Sequence, residues 1–240
     1  PMATSGKTVL LTAATPWEAR PLAKSLGLLP DGPQLWRGTL GAFRGVLLET
    51  GMGASASTAA LERVFGNANG STPGLIVSAG LCGSLQPDVR PADVVVDAHG
   101  GPLHFAVSAP PAAKRAGVTL HMGTIADADH VLTASEKKAL ASKVRAAAVD
   151  MESAAVRAWA ERRGAAFVAA RAVLDGLADE APSQGPADGS VAASLRFAAA
   201  HWSALPRLLA VGWRARRGMD ALGRFLSEYL GDLDEHAETA

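Results

Sequence analysis

The sequence predicts an α/β fold: a three-layer α/β/α arrangement around a central mixed, mostly parallel twisted sheet. Three observations predict it. Short apolar, β-branched runs recur at residues 8–14, 75–78, 93–97 and 166–174, a composition suited to strands buried on both faces. Helix-forming stretches separate these runs, and strand-helix alternation builds parallel sheets. Several runs end on acidic residues or glycines where a helix begins, which puts polar groups at the strand ends, the edge where ligands bind.

Composition bounds the rest. The chain has 240 residues, 48% hydrophobic and 19% charged, ordinary for a globular protein. Lys+Arg and Asp+Glu number 23 each, so net charge gives no argument for a nucleic-acid partner. Cys82 is the only cysteine, which excludes an intrachain disulfide and suits a reducing, cytoplasmic setting. Neither CxxC nor HExxH occurs, so no metal is expected. No basic leader precedes an apolar segment, and no apolar run reaches membrane-spanning length. Pro1-Met2 reads as an addition ahead of the natural start.

In chain order, residues 8–14 form the first buried strand. Thr15-Pro16-Trp17-Glu18 then turns into a helix over 19–26, ended by Gly27. Glu18 and Arg20 fall just past the strand's end. Glu18 suits either a ligand role there or a first-turn partner of the helix dipole. Residues 35–40 and 43–50 read as a hairpin turning at Gly41. Gly51-Met52-Gly53 lets a ligand approach the backbone at the start of a helix over 55–65, whose N-terminus favours anions; a plain tight turn would look the same. Strand 75–78 runs into Ala79-Gly80-Leu81-Cys82-Gly83-Ser84, again permitting close approach. After strand 93–97, residues 98–111 read as a loop or lid holding His99 and His104, each more simply a solvated histidine. Residues 118–125 read as one strand and 135–143 as an N-capped helix.

The clearest stretch is Ala148-Val149-Asp150-Met151-Glu152-Ser153-Ala154-Ala155-Val156. Its apolar run stops at two carboxylates flanking a methionine, and a helix over 153–163 follows. Dipole compensation would account for either acid but not for the methionine between them. Gly164 breaks the helix, and the last strand, 166–174, ends on Asp175-Gly176, repeating the Glu18 situation.

After a Pro/Gly/Asp loop over 177–190, residues 194–230 read as helix with a break near Pro206. Residues 1–190 are then the α/β unit, and 191–240 a helical extension of the same domain with a frayed acidic tail over 232–238. Leu195, Trp202, Leu205, Leu209, Trp213, Met219, Leu222, Leu226 and Leu230 recur at mostly helical spacing beside six arginines. Such a helix can lie on a membrane surface, on a lipid-like ligand, on its own domain or on a second subunit.

Five stretches together resemble the nucleoside phosphorylase and nucleosidase superfamily. They are the first strand with Glu18, Thr50-Gly51-Met52-Gly53, Ser78-Ala79-Gly80 through Arg90-Pro91-Ala92-Asp93-Val94-Val95-Val96, Val149-Asp150-Met151-Glu152-Ser153-Ala154-Ala155, and Arg171-Ala172-Val173-Leu174-Asp175. Within it, Ala148-Val149-Asp150-Met151-Glu152-Ser153 and the basic C-terminal helix look most like the hopanoid-associated phosphorylases, thought to release adenine from adenosylhopane. The resemblance implies purine N-glycosidic bond cleavage without a cofactor. By it, Asp175 is the acid that protonates the departing base, Glu152 binds the ribose hydroxyls, and Met151 packs on the ribose. Ser78, Ala79, Gly80, Val131 and Leu132 line the base pocket, and Met52 contacts substrate. It makes Glu18 the group that activates water in nucleosidases. Phosphorylases use arginines to bind phosphate, one of them three residues before the position of Ser78. That position is Leu75 here, which tilts the expectation toward hydrolysis, while Arg20 and Gly53 remain candidate phosphate ligands. The resemblance also implies a homodimer or larger homo-oligomer. The alternatives are a methylthioadenosine-, adenosylhomocysteine- or futalosine-type nucleosidase acting on a small soluble nucleoside, and a nucleoside-binding protein without turnover.

Overall fold

The computed structural model describes residues 8–66, 72–179 and 205–237, with side chains in the last segment described for 209–233. The first strand, β1 (Thr8–Ala13), lies at the centre of a ten-stranded sheet. The other strands are β2 (Leu29–Pro30), β3 (Leu35–Leu40), β4 (Phe43–Glu49), β5 (Leu75–Ser84), β6 (Val94–Asp97), β7 (Leu120–Met122), β8 (Ile125–Asp127), β9 (Ala148–Asp150) and β10 (Ala166–Asp175). Their order is β2-β3-β4-β1-β5-β10-β6-β7, with β9 paired to both β5 and β8. The central run β4-β1-β5-β10 is parallel, whereas β3 and β6 are antiparallel to their neighbours within it. The α/β class and the mixed, mostly parallel core are as the sequence indicates.

Side chains alternate along the central strands, so both faces are apolar. Val9, Leu11 and Val77 face a core that includes Leu22 of α1 (Pro16–Ser25), Phe105 and Ala109 of α3 (Leu103–Ala116), and Phe225 and Tyr229 of α6 (Leu205–Ala237). Leu10, Ile76 and Phe167 face the opposite way, onto Leu61 of α2 (Ala54–Phe65) and Trp159 of α5 (Ser153–Arg162). The remaining helix, α4 (Ala134–Ala141), starts on a Thr133–Glu136 capping box.

Four local expectations are corrected. Residues 98–111 are not a lid, because most of them belong to α3, which continues through Pro110 and Pro111. Each proline removes a helical N–H. The affected carbonyls belong to Ala106 and Val107, on the less buried side, so water can satisfy them. The buried Phe105, Ala109, Ala112 and Ala113 stripe holds the helix against α6. Residues 118–125 are not one strand: Gly123 separates β7, paired to β6, from β8, paired to β9. Strand β5 runs six residues past Ser78, because its small residues still pair with β10 and β9. Finally, the acidic tail does not fray at residue 232. Helix α6 continues to Ala237, and Asp232 and Glu228 both hold the Arg115 guanidinium.

Helix α6 divides into two parts. Met219, Leu222, Phe225, Leu226, Tyr229, Leu230 and Leu233 are buried in the core, whereas Leu209 and Trp213 are exposed. The six-residue step from Trp213 to Met219 turns the helix by about 240° beyond a full rotation, so the two apolar groups lie on different faces. Leu195, Trp202 and the expected helix over 194–204 lie outside the described residues. Among the described residues, no helix is long and apolar enough to cross a membrane.

Candidate active site

The C-terminal ends of β1, β4, β5 and β10 gather most of the residues singled out from the sequence. Glu18 reaches this edge through its capping role. Thr15 is the N-cap of α1, and its backbone N–H and hydroxyl both donate to Glu18 Oε2 at 2.9 Å. The second oxygen, Oε1, accepts from the Leu81 amide of β5 at 2.8 Å. Glu18 therefore caps its own helix in the first turn while lying buried at the strand edge.

At the centre of the cluster is a residue that sequence reasoning quoted but gave no role. Arg171, on β10, is 1% exposed. Its Nε lies 2.7 Å from Asp150 Oδ2, and its Nη2 donates to Ser78 Oγ at 2.7 Å and to Ser153 Oγ at 3.1 Å. Nη1 lies 3.6 Å from Glu152 Oε2 and, alone among the guanidinium nitrogens, has no hydrogen-bond partner. Asp150 also accepts from the Ser153 amide at 3.1 Å and from the Ser153 hydroxyl. It thus holds the first turn of α5 while neutralising Arg171, a structural task.

Glu152 follows at the N-terminus of α5. Its Oε1 accepts from the Gly53 amide at 2.8 Å, so a carboxylate of this chain already occupies that part of the N-terminus of α2. Burial holds the Glu152 carboxyl above the usual range, while Arg171 and the Gly53 amide pull against it. Gly80 is the floor between these groups. Its φ is +154°, and a methyl group there would lie 2.5 Å from Glu18 Oε1 and 2.6 Å from Arg171 Nη1. Only glycine lets the carboxylate and the guanidinium converge on the strand.

Asp175 ends β10, four residues beyond Arg171, or about 13 Å along an extended strand. The pairing with β5 slips between Val173 and Asp175, a bulge of the kind that re-aims a side chain. One carboxylate oxygen, Oδ2, is bound by the Lys137 ammonium of α4. Burial raises the Asp175 carboxyl above its ordinary range, and Lys137 opposes that rise. Lys137 could not be found from sequence, because nothing in Ser135-Glu136-Lys137-Lys138 tells which lysine turns inward.

The other expected residues divide. Ser78 and Ala79 are fully buried, the first in the Arg171 network and the second in the core beneath α1 and α6. Met151 is half-buried beside Glu152, and Met52 is 69% exposed at the same edge. Val131 is exposed, while Leu132 packs against the Leu85, Ala146 and Val149 cluster. Arg20 is exposed and about 200° round the helix from Glu18, so it is not brought into the cluster. His99 bonds through its ring to buried Asp97, which also holds Arg157, and His104 packs edge-on against Phe105. Among the described residues, no group of three or more His, Cys, Asp and Glu could hold a metal ion.

A buried acid at the end of β10 and the carboxylates around the Arg171 guanidinium thus lie along the strand ends, the edge where α/β sheets bind ligands. The chain belongs to the phosphorylase superfamily, whose family model matches residues 8–99 and 102–205. Solved structures of similar fold include the futalosine hydrolase of Helicobacter pylori, with TM-score 0.68 and 17% identity over 97% of this chain and 100% of that one. The 5′-methylthioadenosine/S-adenosylhomocysteine nucleosidase of the same organism has TM-score 0.68 and 18% identity, covering 96% and 100% of the two chains. The S-adenosylhomocysteine nucleosidase of Streptococcus pyogenes, in complex with 5-methylthiotubericidin, has TM-score 0.69 and 17% identity, covering 97% and 99%. No curated protein matches the sequence significantly.

Proposed function

We propose that this protein cleaves the N-glycosidic bond of a purine nucleoside and releases adenine, with water as the attacking group. The observation that carries the reading is the division of labour along one strand edge: a buried acid, Asp175, separated from Glu18 and Glu152, which converge on Gly80 and Arg171. The solved nucleosidases of like fold, named for methylthioadenosine, adenosylhomocysteine and futalosine, support the same class.

The chemistry follows from where charge develops. As the C1′–N bond breaks, its electron pair moves to the base and positive charge grows on the ribose. Asp175 gives a proton to a base nitrogen, a step its raised pKa suits. Glu152 accepts from the ribose hydroxyls, and Met151 packs on the sugar. Glu18, Asp150 and Glu152 outnumber the single Arg171 among them, so the site favours a cationic sugar. Water attacks C1′ and becomes the hydroxyl on that carbon, and its proton passes to Glu18 or Glu152. The same excess of carboxylates opposes a phosphate dianion, and Leu75 and Arg20 bring no cation to offset it.

The finer reading is adenosylhopane as substrate. Leu209 and Trp213 stand exposed on α6, with the Arg217 guanidinium over the Trp213 ring, and would meet an apolar 5′ group or a membrane surface. A homodimer or larger homo-oligomer is part of the same reading by family resemblance. The alternative is a small soluble nucleoside, as in the methylthioadenosine- and futalosine-type enzymes.

The test is adenine release from adenosine and methylthioadenosine, with and without phosphate, with the sugar product identified. Free ribose independent of phosphate supports hydrolysis, ribose 1-phosphate refutes it, and binding without adenine release refutes the enzyme. Deleting 194–240 cannot test the lipid-linked substrate, because it removes buried core. The exposed pair Leu209→Ser and Trp213→Ser is the usable change. It should weaken action on lipid-linked nucleosides and spare adenosine, and equal loss on both would sink the adenosylhopane reading.

A further inference from the structure

We propose that Lys137 is a positioning residue for the base-protonating acid: it commits one oxygen of Asp175, pins the turn that follows, and leaves the other oxygen to meet the departing base. The inference rests on the reading of Asp175 as that acid.

Lys137 is 1% exposed, which is rare for a lysine unless it is paired. Its ammonium has three donors, and all three are used. One binds Asp175 Oδ2, one donates to the Gly176 carbonyl at 2.6 Å, and one donates to the Asp179 carbonyl at 2.9 Å. Lys137 therefore has no proton left for a substrate and acts only through what it holds. Among the described residues, Asp175 Oδ1 accepts from no protein donor, so it is the oxygen available to a base. The turn is pinned a second time: Asp179 Oδ2 accepts from the Gly176 amide at 3.1 Å and from Arg214 of α6 at 2.9 Å. Three elements thus converge on the acid: α4 through Lys137, the turn through Asp179, and α6 through Arg214. Cys82 on β5 adds a buried thiol whose titration burial pushes far upward, so it stays neutral.

The consequence is a balance. Burial favours the protonated carboxyl and the adjacent ammonium favours the carboxylate, so Lys137 limits how far into alkaline pH Asp175 keeps its proton. Arg214 acts in the same direction more weakly, and Asp179 opposes both. A lysine that served only to fix the fold would lower activity equally at every pH.

The experiment measures kcat/KM for base release against pH in the wild type, Lys137→Met and Lys137→Arg. A second measurement follows the Asp175 carboxyl carbon by NMR, identified by its loss in Asp175→Asn. In Lys137→Met the alkaline limb moves upward. At a pH where the wild type has lost most of its activity, the variant retains about tenfold more of its own maximum. Its kcat falls more than its KM changes, because the acid is mis-aimed rather than the nucleoside lost. Lys137→Arg returns the limb toward the wild-type position. An unmoved alkaline limb in Lys137→Met, in an active wild-type background, overturns the proposal. If the wild type releases no base from any purine nucleoside, the functional reading fails and the carboxyl titration still decides the pairing. An upward shift in Lys137→Met upholds it, and coincident titrations overturn it. Should Lys137→Met not fold, Lys137→Gln keeps donors for Gly176 and Asp179 without the charge and carries the same comparison.

Discussion

Arg171→Met isolates what the buried guanidinium contributes. The change keeps much of the side-chain length but removes the charge and every donor. Asp150 loses its 2.7 Å ion pair, Ser78 loses a 2.7 Å hydrogen bond, and Glu152 loses the cation nearest to it. Leaving a buried carboxylate without its partner costs about 3–5 kcal/mol. For a chain of this length that is about 6–20 °C in Tm. The cost depends on pH, and its sign can be worked out. Glu152 already has a raised folded-state pKa, and removing Arg171 raises it further. A group whose folded pKa is raised favours the folded state most at low pH, and this contribution is lost as pH rises through the folded value. The deficit of Arg171→Met relative to wild type is therefore largest at neutral pH and shrinks under mildly acid conditions. Urea unfolding of both proteins at pH 7 and pH 5, followed by far-UV circular dichroism, measures it. A deficit below about 1 kcal/mol at pH 7, within the range of an exposed pair, would refute the reasoning. So would a deficit that does not change with pH.

Other expectations follow from single contacts. Asp175→Asn keeps an oxygen for Lys137 but removes the counter-charge of its buried ammonium, so it should lower stability as well as lowering base release by about 10²–10⁴-fold, as removal of a general acid does; unchanged release in a steady-state assay would remove Asp175 from the mechanism. Gly80→Ala forces a methyl group into Glu18 and Arg171 at a strained φ, so about 1–3 kcal/mol of stability should be lost together with activity, read by thermal melting and adenine release on the same sample. Phe225→Ala, in the buried half of α6, should cost about 3–5 kcal/mol, whereas Trp213→Ala on the exposed half should leave Tm within the scatter of surface changes.

The candidate site was legible in the sequence to the extent that local pattern encodes it. The places of Glu18, Glu152 and Asp175 could be read because each follows the stop of an apolar run, and such stops mark the strand ends of an α/β sheet, whereas their expected roles came from family resemblance. The phosphate reading was weaker for a reason that is also physical. Arg20 is two positions from Glu18 in sequence but on another side of α1, since adjacency along a helix is not adjacency in space. The Gly53 amide looked free to take an anion, but it already bonds Glu152, 99 residues away.

Alternation, helix spacing and turn residues are short-range properties, so the sequence by itself determined the α/β class, the central parallel strands and the position of three carboxylates at their ends. Tertiary structure alone decided the rest. It chose Lys137 over Lys138 to turn inward and joined it to Asp175 across 38 residues. It carried α3 through two prolines by packing a buried stripe on α6, and it split the apolar spacing of α6 into a core face and an exposed one. It also made Arg171 the centre of the site, because a guanidinium inside a strand draws its meaning from carboxylates and hydroxyls that distant segments bring to it.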